Sequence, residues 1–360
     1  MVSSSFFAMN HPSLIYTPSQ NTHLFSVACC KDKIFIAGAD GVHIYHNYTK
    51  TISTLSDKPA FHTALHPRTM DLAISNDTEL AVYNTNTQEK KWHTQRSLYL
   101  WKTTSIVFSS IDDTVCSYKK GTFSLHSSKK LPLHQFSVPY NVRNTAYCVQ
   151  ISCHPHKKEF LYPSGKQTIS IVEPNRFHET KETITSPQSD HILHALYNPN
   201  ATVIAMNDTH GQCYLYDVTT NAGELLQHSL SSIPSHYISM VFHPHDNILA
   251  LLTDNNSIHY WNYKTKQIIA ITNSYIDENE STETTHFSRT KRLDFSPDGK
   301  FLAVAFSHAC HKLPTPLNNL LMMYCLLRNH LPHDIIKIIT HLIPQILELE
   351  NLNFFEFLKI

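Results

Sequence analysis

Short runs of alternating apolar and polar residues recur along this chain, each closed by a turn rich in Pro, Asn or Asp. The clearest copy extends from Ile238 to Asn262: an apolar alternation, a turn at His243-Pro244, a second apolar run (Ile248 to Leu252), an Asp-Asn-Asn turn, and a third run ending in Trp261-Asn262. A second copy begins at Ala195, turns at Asn198-Pro199 and closes on Tyr216-Asp217, and a third spans Ala64 to Asn84 with its turn at His66-Pro67. A period of two bounded by turn residues is the signature of half-buried strands joined as hairpins.

Weaker copies appear once this register is set. Val27 to Cys30 leads to Ile34–Ile36 and Val42–Tyr45; Ile106 to Ser109 leads to Val115–Tyr118; Ile151 to Pro155 leads to Phe160–Tyr162; and Leu293 to Ser296 leads to Phe301–Ala305. The residues opening the first turn are Cys29, His66, Ser109, His154, Asn198, His243 and Ser296, spaced by 37, 43, 45, 44, 45 and 53. A repeat of roughly 40–45 residues matches a four-stranded sheet. The longest spacing holds an acidic insertion, Ser274 to Thr285, which reads as an exposed loop.

Phe295-Ser-Pro-Asp-Gly299 followed by Phe301-Leu-Ala-Val-Ala305 resembles the first hairpin of the WD-repeat family, and Trp261-Asn262, Tyr216-Asp217 and Tyr83-Asn84 fall where that family carries its Trp-Asp dipeptide. The resemblance covers roughly residues 20–307. It implies an all-β fold, a seven-bladed WD-repeat-type β-propeller over residues 1–307, in which Tyr45, Tyr83, Tyr216, Asp217, Trp261 and Asn262 are blade-structural. The last copy shows only two strands. An open half-sheet is an unpaired edge, so residues 1–18, with Ser5–Met9 and Leu14–Tyr16 as short apolar runs, are expected to close it, as the family commonly does. No copy has the family's Gly-His dipeptide, one has Trp at the dipeptide position, and the chain holds 7 glycines. The family's buried hydrogen-bond network is therefore incomplete. Asn and Asp are expected to take the tight turns, through left-handed geometry and local side-chain bonding.

Charge narrows the function. Lys and Arg number 29 against 29 Asp and Glu, so no net positive field attracts nucleic acid, and nucleic-acid binding is not expected. Lys90, Lys91, Lys119, Lys120, Lys129, Lys130, Lys157 and Lys158 form pairs on successive copies and read as hairpin-turn lysines rather than a basic rim. The first 20 residues lack the basic and apolar regions of a secretory signal, and no apolar stretch reaches the ~20 residues of a spanning helix. No membrane association is expected. Eight cysteines without regular spacing read as reduced thiols of a cytoplasmic protein. Cys153-His154-Pro-His156 and His308-Ala-Cys310-His311 have metal-ligand residue types but no partner pair at a usual spacing. No metal, cofactor or catalytic residue is assigned.

From Leu313 the period changes to that of amphipathic helices: Leu317, Leu320, Leu321, Tyr324 and Leu327, then Ile335 to Leu347. Residues 308–360 are thus expected to form a short α-helical C-terminal extension. Leu331 to Pro344 looks like the opening helix of an F-box, with Leu331, Pro332, Asp334, Ile335 and Ile339 as its docking residues, although the chain beyond Pro344 is shorter than an F-box requires. Two uses stay open: a helical cap on the propeller, or a dock for a ubiquitin-ligase adaptor. The expected function is a non-catalytic scaffold or adaptor whose propeller face binds partner proteins. The alternative is the substrate-recognition subunit of a ubiquitin ligase, with the C-terminal helices recruiting the adaptor.

Overall fold

The computed structural model describes residues 13–18, 23–76, 78–95, 105–119, 122–127, 130–137, 150–165, 167–173, 180–186, 191–225, 237–253, 257–273, 292–306 and 310–314. These form an all-β propeller. After β1 (Ser13–Tyr16), the first blade is β2 (Leu24–Cys29), β3 (Lys33–Gly38), β4 (Gly41–His46) and β5 (Ile52–Ser56). The second is β6 (His62–Leu65), β7 (Leu72–Ser75), β8 (Glu79–Tyr83) and β9 (Lys90–Gln95), and the third is β10 (Ser105–Phe108), β11 (Val115–Lys119), β12 (Thr122–Ser127) and β13 (Lys130–Ser137). The fourth is β14 (Ser152–Cys153), β15 (Phe160–Pro163), β16 (Thr168–Val172) and β17 (Thr180–Thr185), and the fifth is β18 (Ile192–Tyr197), β19 (Val203–Asp208), β20 (Cys213–Asp217) and β21 (Ala222–Leu225). The sixth is β22 (Tyr237–Phe242), β23 (Ile248–Thr253), β24 (Ser257–Asn262) and β25 (Gln267–Asn273).

The repeat pattern treats all its copies alike, and the structure does not. Six blades are self-contained, each an antiparallel meander of consecutive strands. The remaining sheet is composite: β26 (Arg292–Phe295), β27 (Phe301–Ala305) and β28 (Cys310–Pro314) are completed by β1 in the order β1-β28-β27-β26. Ser13 faces Lys312 and Leu14 faces His311 across the seam. The N-terminal segment therefore supplies one described outer strand, while the third strand of this sheet comes from residues assigned by pattern to the helical extension. The propeller runs to Pro314 rather than ending at residue 307. Ser5–Met9 and the helices expected over 316–347 lie outside the described residues.

Each inner strand contacts the next around the ring, and β26 contacts β2. The core is divided among the junctions between neighbouring sheets. Consecutive residues of one strand serve opposite sides: Ile34 and Ile36 pack toward the composite sheet with Phe301 and Ala303, while Phe35 and Ala37 pack toward the second blade with Leu72 and Ile74. A strand buried on both faces carries no polar alternation, which is why Ile248–Leu252 is uninterrupted and wholly buried. Trp261, 2% exposed, sits between the fifth and sixth blades against Ala205, Leu215 and Met240. Tyr45 and Tyr83 are likewise buried at junctions, and Tyr216 packs partly buried at another.

Of the turn-opening residues, His66, Ser109, His154, Asn198, His243 and Ser296 are buried and have a common task, to accept backbone N–H groups of their own turn. His66 Nδ1 accepts the backbone N–H groups of Arg68 (3.1 Å) and Thr69 (3.0 Å), so its Nε2 carries the proton and points at the Asp112 carbonyl of the next blade, 3.3 Å away. Asn198 Oδ1 accepts from Thr202 and Val203, and its amide donates to Tyr263 on the next blade at 3.2 Å. His243 accepts from the Asp246 N–H at 2.9 Å, and its Nε2 lies 3.0 Å from the Gly299 carbonyl. A Cβ on Gly299 would fall 2.3 Å from that imidazole, and its φ of +68° is left-handed, so this turn requires glycine.

The glycine-poor turns depart from expectation. The left-handed positions belong to Lys50, Met70, Gln88, Ala201, Asn221 and Lys266, so only one of these non-glycine residues is Asn and none is Asp. Asn and Asp act beside them as acceptors. Asn84 Oδ1 takes the N–H groups of Asn86 and Thr87, Asp217 those of Thr219 and Thr220, and Asn262 those of Lys264 and Thr265. The physical reason is that capturing the backbone two and three residues ahead fixes the turn, leaving the strained dihedral to the residue after it.

Removing residues 1–18 strips β1 from the composite sheet, takes Ile15 (7% exposed in the closed ring) out of the core and uncovers its neighbours Leu24 and Phe301; thermal unfolding should show the midpoint lowered by about 5–10 °C, and an unchanged midpoint would show that β1 does not hold the ring. Ala201→Gly should raise stability by about 1 kcal/mol, since a left-handed dihedral costs alanine roughly that much, as read from urea denaturation.

Candidate functional site

The inner strands turn one row of side chains onto a central channel with a cavity of about 540 Å³. The first blade's turn opens in the structure at Cys30, whose N–H donates to the Lys33 carbonyl, rather than at Cys29. Two residues before each turn-opening position stand Ala28, Ala64, Val107, Ser152, Leu196, Val241 and Asp294, and all of them line the cavity. The ring is thus an aliphatic collar interrupted by one serine and one carboxylate. At the strand ends, Pro67, Pro155, Pro199, Pro244 and Pro297 border the same cavity. Where the strands begin, Arg292 reaches across from the composite sheet and donates to Gln150 Oε1 of the fourth blade at 3.0 Å. Side chains therefore occupy that level of the channel.

An inner strand is also a sheet edge, and its backbone N–H groups need acceptors. Short side chains on the neighbouring blade supply several. Ser26 Oγ accepts the Thr63 N–H (3.2 Å), Ser105 Oγ the Ile151 N–H (3.2 Å), Ser152 Oγ the Tyr197 N–H (3.4 Å), and Asp294 Oδ2 the Cys29 N–H at 2.7 Å. The last of these joins the composite sheet to the first blade and is a carboxylate where the others are hydroxyls. Burial pushes the Asp294 carboxyl up to about 7, opposed by the N–H groups of Cys29 and Phe295.

Tyr16 and Lys312 reinforce the same junction. The Tyr16 hydroxyl donates to Asp40 at 2.6 Å while its ring stacks on His43, and Lys312 donates to Asn47 at 2.9 Å and lies 4.2 Å above the Phe301 ring. Burial holds the Tyr16 hydroxyl well above the ordinary phenol range, with the Asp40 carboxylate adding to it.

The other groups singled out by pattern have structural partners. His154 is buried in its turn, accepts the His156 N–H at 3.0 Å and packs on Tyr197, and burial lowers its imidazole below the ordinary value. Cys153 and His156 flank it without forming a ligand set, and among the described residues no three His, Cys, Asp or Glu side chains are placed to share a metal ion. Lys91 pairs with Asp71 at 2.6 Å, Lys90 with Glu79 at 3.5 Å and Lys158 with Asp112 at 2.5 Å, so these lysines are held by acids of their own or the adjoining blade. Cys29, Cys30, Cys116, Cys153 and Cys213 are free thiols. The acidic insertion, the side chains of His308 and Cys310, and the docking residues Leu331, Pro332, Asp334, Ile335 and Ile339 lie outside the described residues.

Pattern reading missed Arg292, Gln150 and Asp294. Asp294 was the detectable one: aligning the copies on their turns places it in a column otherwise filled by small or aliphatic residues and one serine. The chain matches no protein-family model, and none of the curated proteins compared with it matches.

The raised Asp294 carboxyl has a sign that can be tested. The folded state holds this proton more tightly than the unfolded chain, so its contribution to stability is complete below about pH 4 and is lost as pH rises toward 7. Asp294→Asn keeps an oxygen for the Cys29 N–H but cannot ionise. Its melting temperature relative to the parent protein should therefore climb between pH 5 and pH 8; parallel pH profiles would contradict the buried charge.

Proposed function

We propose that this propeller is a non-catalytic scaffold that binds a partner protein on the face carrying the proline turns, with the central channel as its focus. The observation supporting this reading is the convergence there of the first turns of successive blades. Pro67, Pro155, Pro199, Pro244 and Pro297 border one cavity, and exposed residues such as Arg68, His156, Lys157, Asn200 and His245 stand beside them. Turns fixed by a buried His, Asn or Ser at their base form a rigid surface, and rigid surfaces lose little entropy on association. Propellers commonly serve as interaction scaffolds through such loops. The ubiquitin-ligase alternative depends on residues 331–344, and no contact in the propeller favours it.

Affinity capture with quantitative mass spectrometry tests the face. The triple variant His156→Glu, Lys157→Glu, Asn200→Glu changes only exposed turn residues and should reduce capture of the specific partner at least tenfold. Substituting exposed outer-strand residues instead (Ile52→Thr with Ile271→Thr) should leave capture unchanged. Reversal of the two results would move the interface to the outer edge, and saturable capture of no protein would remove the scaffold reading.

A further inference from the structure

We infer that the central channel is a receptor for a single lysine side chain presented by the partner, its methylene stem in the aliphatic collar and its ammonium on Asp294. This rests on the scaffold reading and names the chemistry of its recognition.

The collar consists of Ala28, Ala64, Val107, Leu196 and Val241, with Ser152 and Asp294 completing the ring. Such a wall offers an apolar guest dispersion contacts and removal from water, but no polar partner except at two places. Asp294 is the sole carboxylate among the cavity-lining residues. It lies along the wall between β26 and β2, with Leu293 and Phe295 on either side turned into the blade junction. An anionic guest would meet this carboxylate. A wholly apolar guest would leave it buried without a counter-charge, which is costly. A divalent metal ion needs several oxygen ligands, and the collar brings only one carboxylate. The remaining class is an alkyl chain ending in a cation.

Geometry chooses between the two cationic side chains. Asp294 Oδ2 is already occupied by the Cys29 N–H at 2.7 Å. A guanidinium is best met by a carboxylate with both oxygens free for a fork of two parallel bonds, whereas an ammonium acts as a compact point charge satisfied by one oxygen. Arg292, the guanidinium at the start of the same strand, is directed across the channel to Gln150. It crosses the level where the strands begin, so the guest enters past the prolines.

Depth sets how the lysine is carried. Three residues of strand separate the collar from the proline level, about 10 Å at the usual rise, while an extended lysine side chain reaches about 6 Å from its Cα. The partner's backbone must descend a few ångströms below the rim. That excludes a lysine on a flat helix or sheet surface and selects one at a loop tip or a chain end.

The test uses the full chain with methyl-labelled valine and leucine and follows their NMR shifts during titration. The probes are Nα-acetyl-lysine methylamide, the norleucine analogue with the same stem and no charge, and the arginine analogue. Saturable shifts should centre on Val107, Leu196 and Val241 with the lysine probe, and binding should be at least tenfold weaker for norleucine, weaker for arginine, and at least tenfold weaker in Asp294→Asn. Equal binding of lysine and norleucine, shifts centred elsewhere, or an unaffected Asp294→Asn would overturn the inference. If Asp294→Asn does not fold, the lysine–norleucine comparison on the parent chain decides alone. Should the lysine probe fail while the turn-face triple variant still loses its partner, the scaffold reading stands and the lysine receptor falls.

Discussion

The structure depends on closing a ring of sheets at one place, the junction between the composite sheet and the first blade. Every other junction joins blades that follow one another along the chain, so loop closure between them is local and its entropic cost small. The composite sheet pairs the two ends of the described chain, and several kinds of interaction meet in it and at its junction with the first blade. Backbone pairing joins β1 to β28, Ile15 enters the core with Phe301 and Leu24, Tyr16 is bonded to Asp40, Lys312 to Asn47, and Asp294 to the Cys29 N–H. The apolar contacts supply most of the stabilisation, because exposed ion pairs and single hydrogen bonds contribute little net free energy. The polar contacts fix which edges meet and in what register.

That junction also holds an unusual group, Asp294, whose carboxyl is pushed by burial well above the ordinary range. A carboxylate does at Asp294 what hydroxyls do at Ser26, Ser105 and Ser152, and a serine there would carry no charge into the channel wall. The fold needs an acceptor; it does not need an acid. An ionisable group placed where a neutral one would serve, on a wall otherwise made of aliphatic side chains and one serine, is more informative about function than the aromatic–Asp/Asn dipeptides of the blades.

The hairpins were legible because two-sided burial forces a visible pattern. Leu249 to Leu252 and Phe301 to Ala305 are apolar at every position since neighbouring blades cover both faces. The outer strands were not, because solvent sets their composition: Lys90–Gln95 and Thr180–Thr185 are polar runs whose strand state comes from pairing with β8 and β16. β28 was hidden for a related reason, its sequence Cys-His-Lys-Leu-Pro having no alternation, and only the open edge of β27 makes it a strand. The turns were legible as turns but not in their dihedrals, since Lys50 and Gln88 take left-handed positions that pattern reading gives to Asn or Asp. Of the channel, the aliphatic column and its one acid were present in the aligned copies, whereas the Arg292–Gln150 contact joins residues 142 apart and has no local signal.

The composite sheet has a consequence for how the protein is made. Ser13 and Lys312, neighbours in the finished sheet, are separated by 299 residues. At synthesis rates of roughly 5–20 residues per second, β1 leaves the ribosome about 15–60 s before its partner strand exists. During that interval the self-contained blades can form and stack as an open arc, with the first blade's flank uncovered and β1 unpaired. The nascent chain is thus committed to a period as an unclosed crescent, and its exposure to aggregation is governed by the time to translate the 299 residues from Ser13 to Lys312 rather than by the folding speed of any blade.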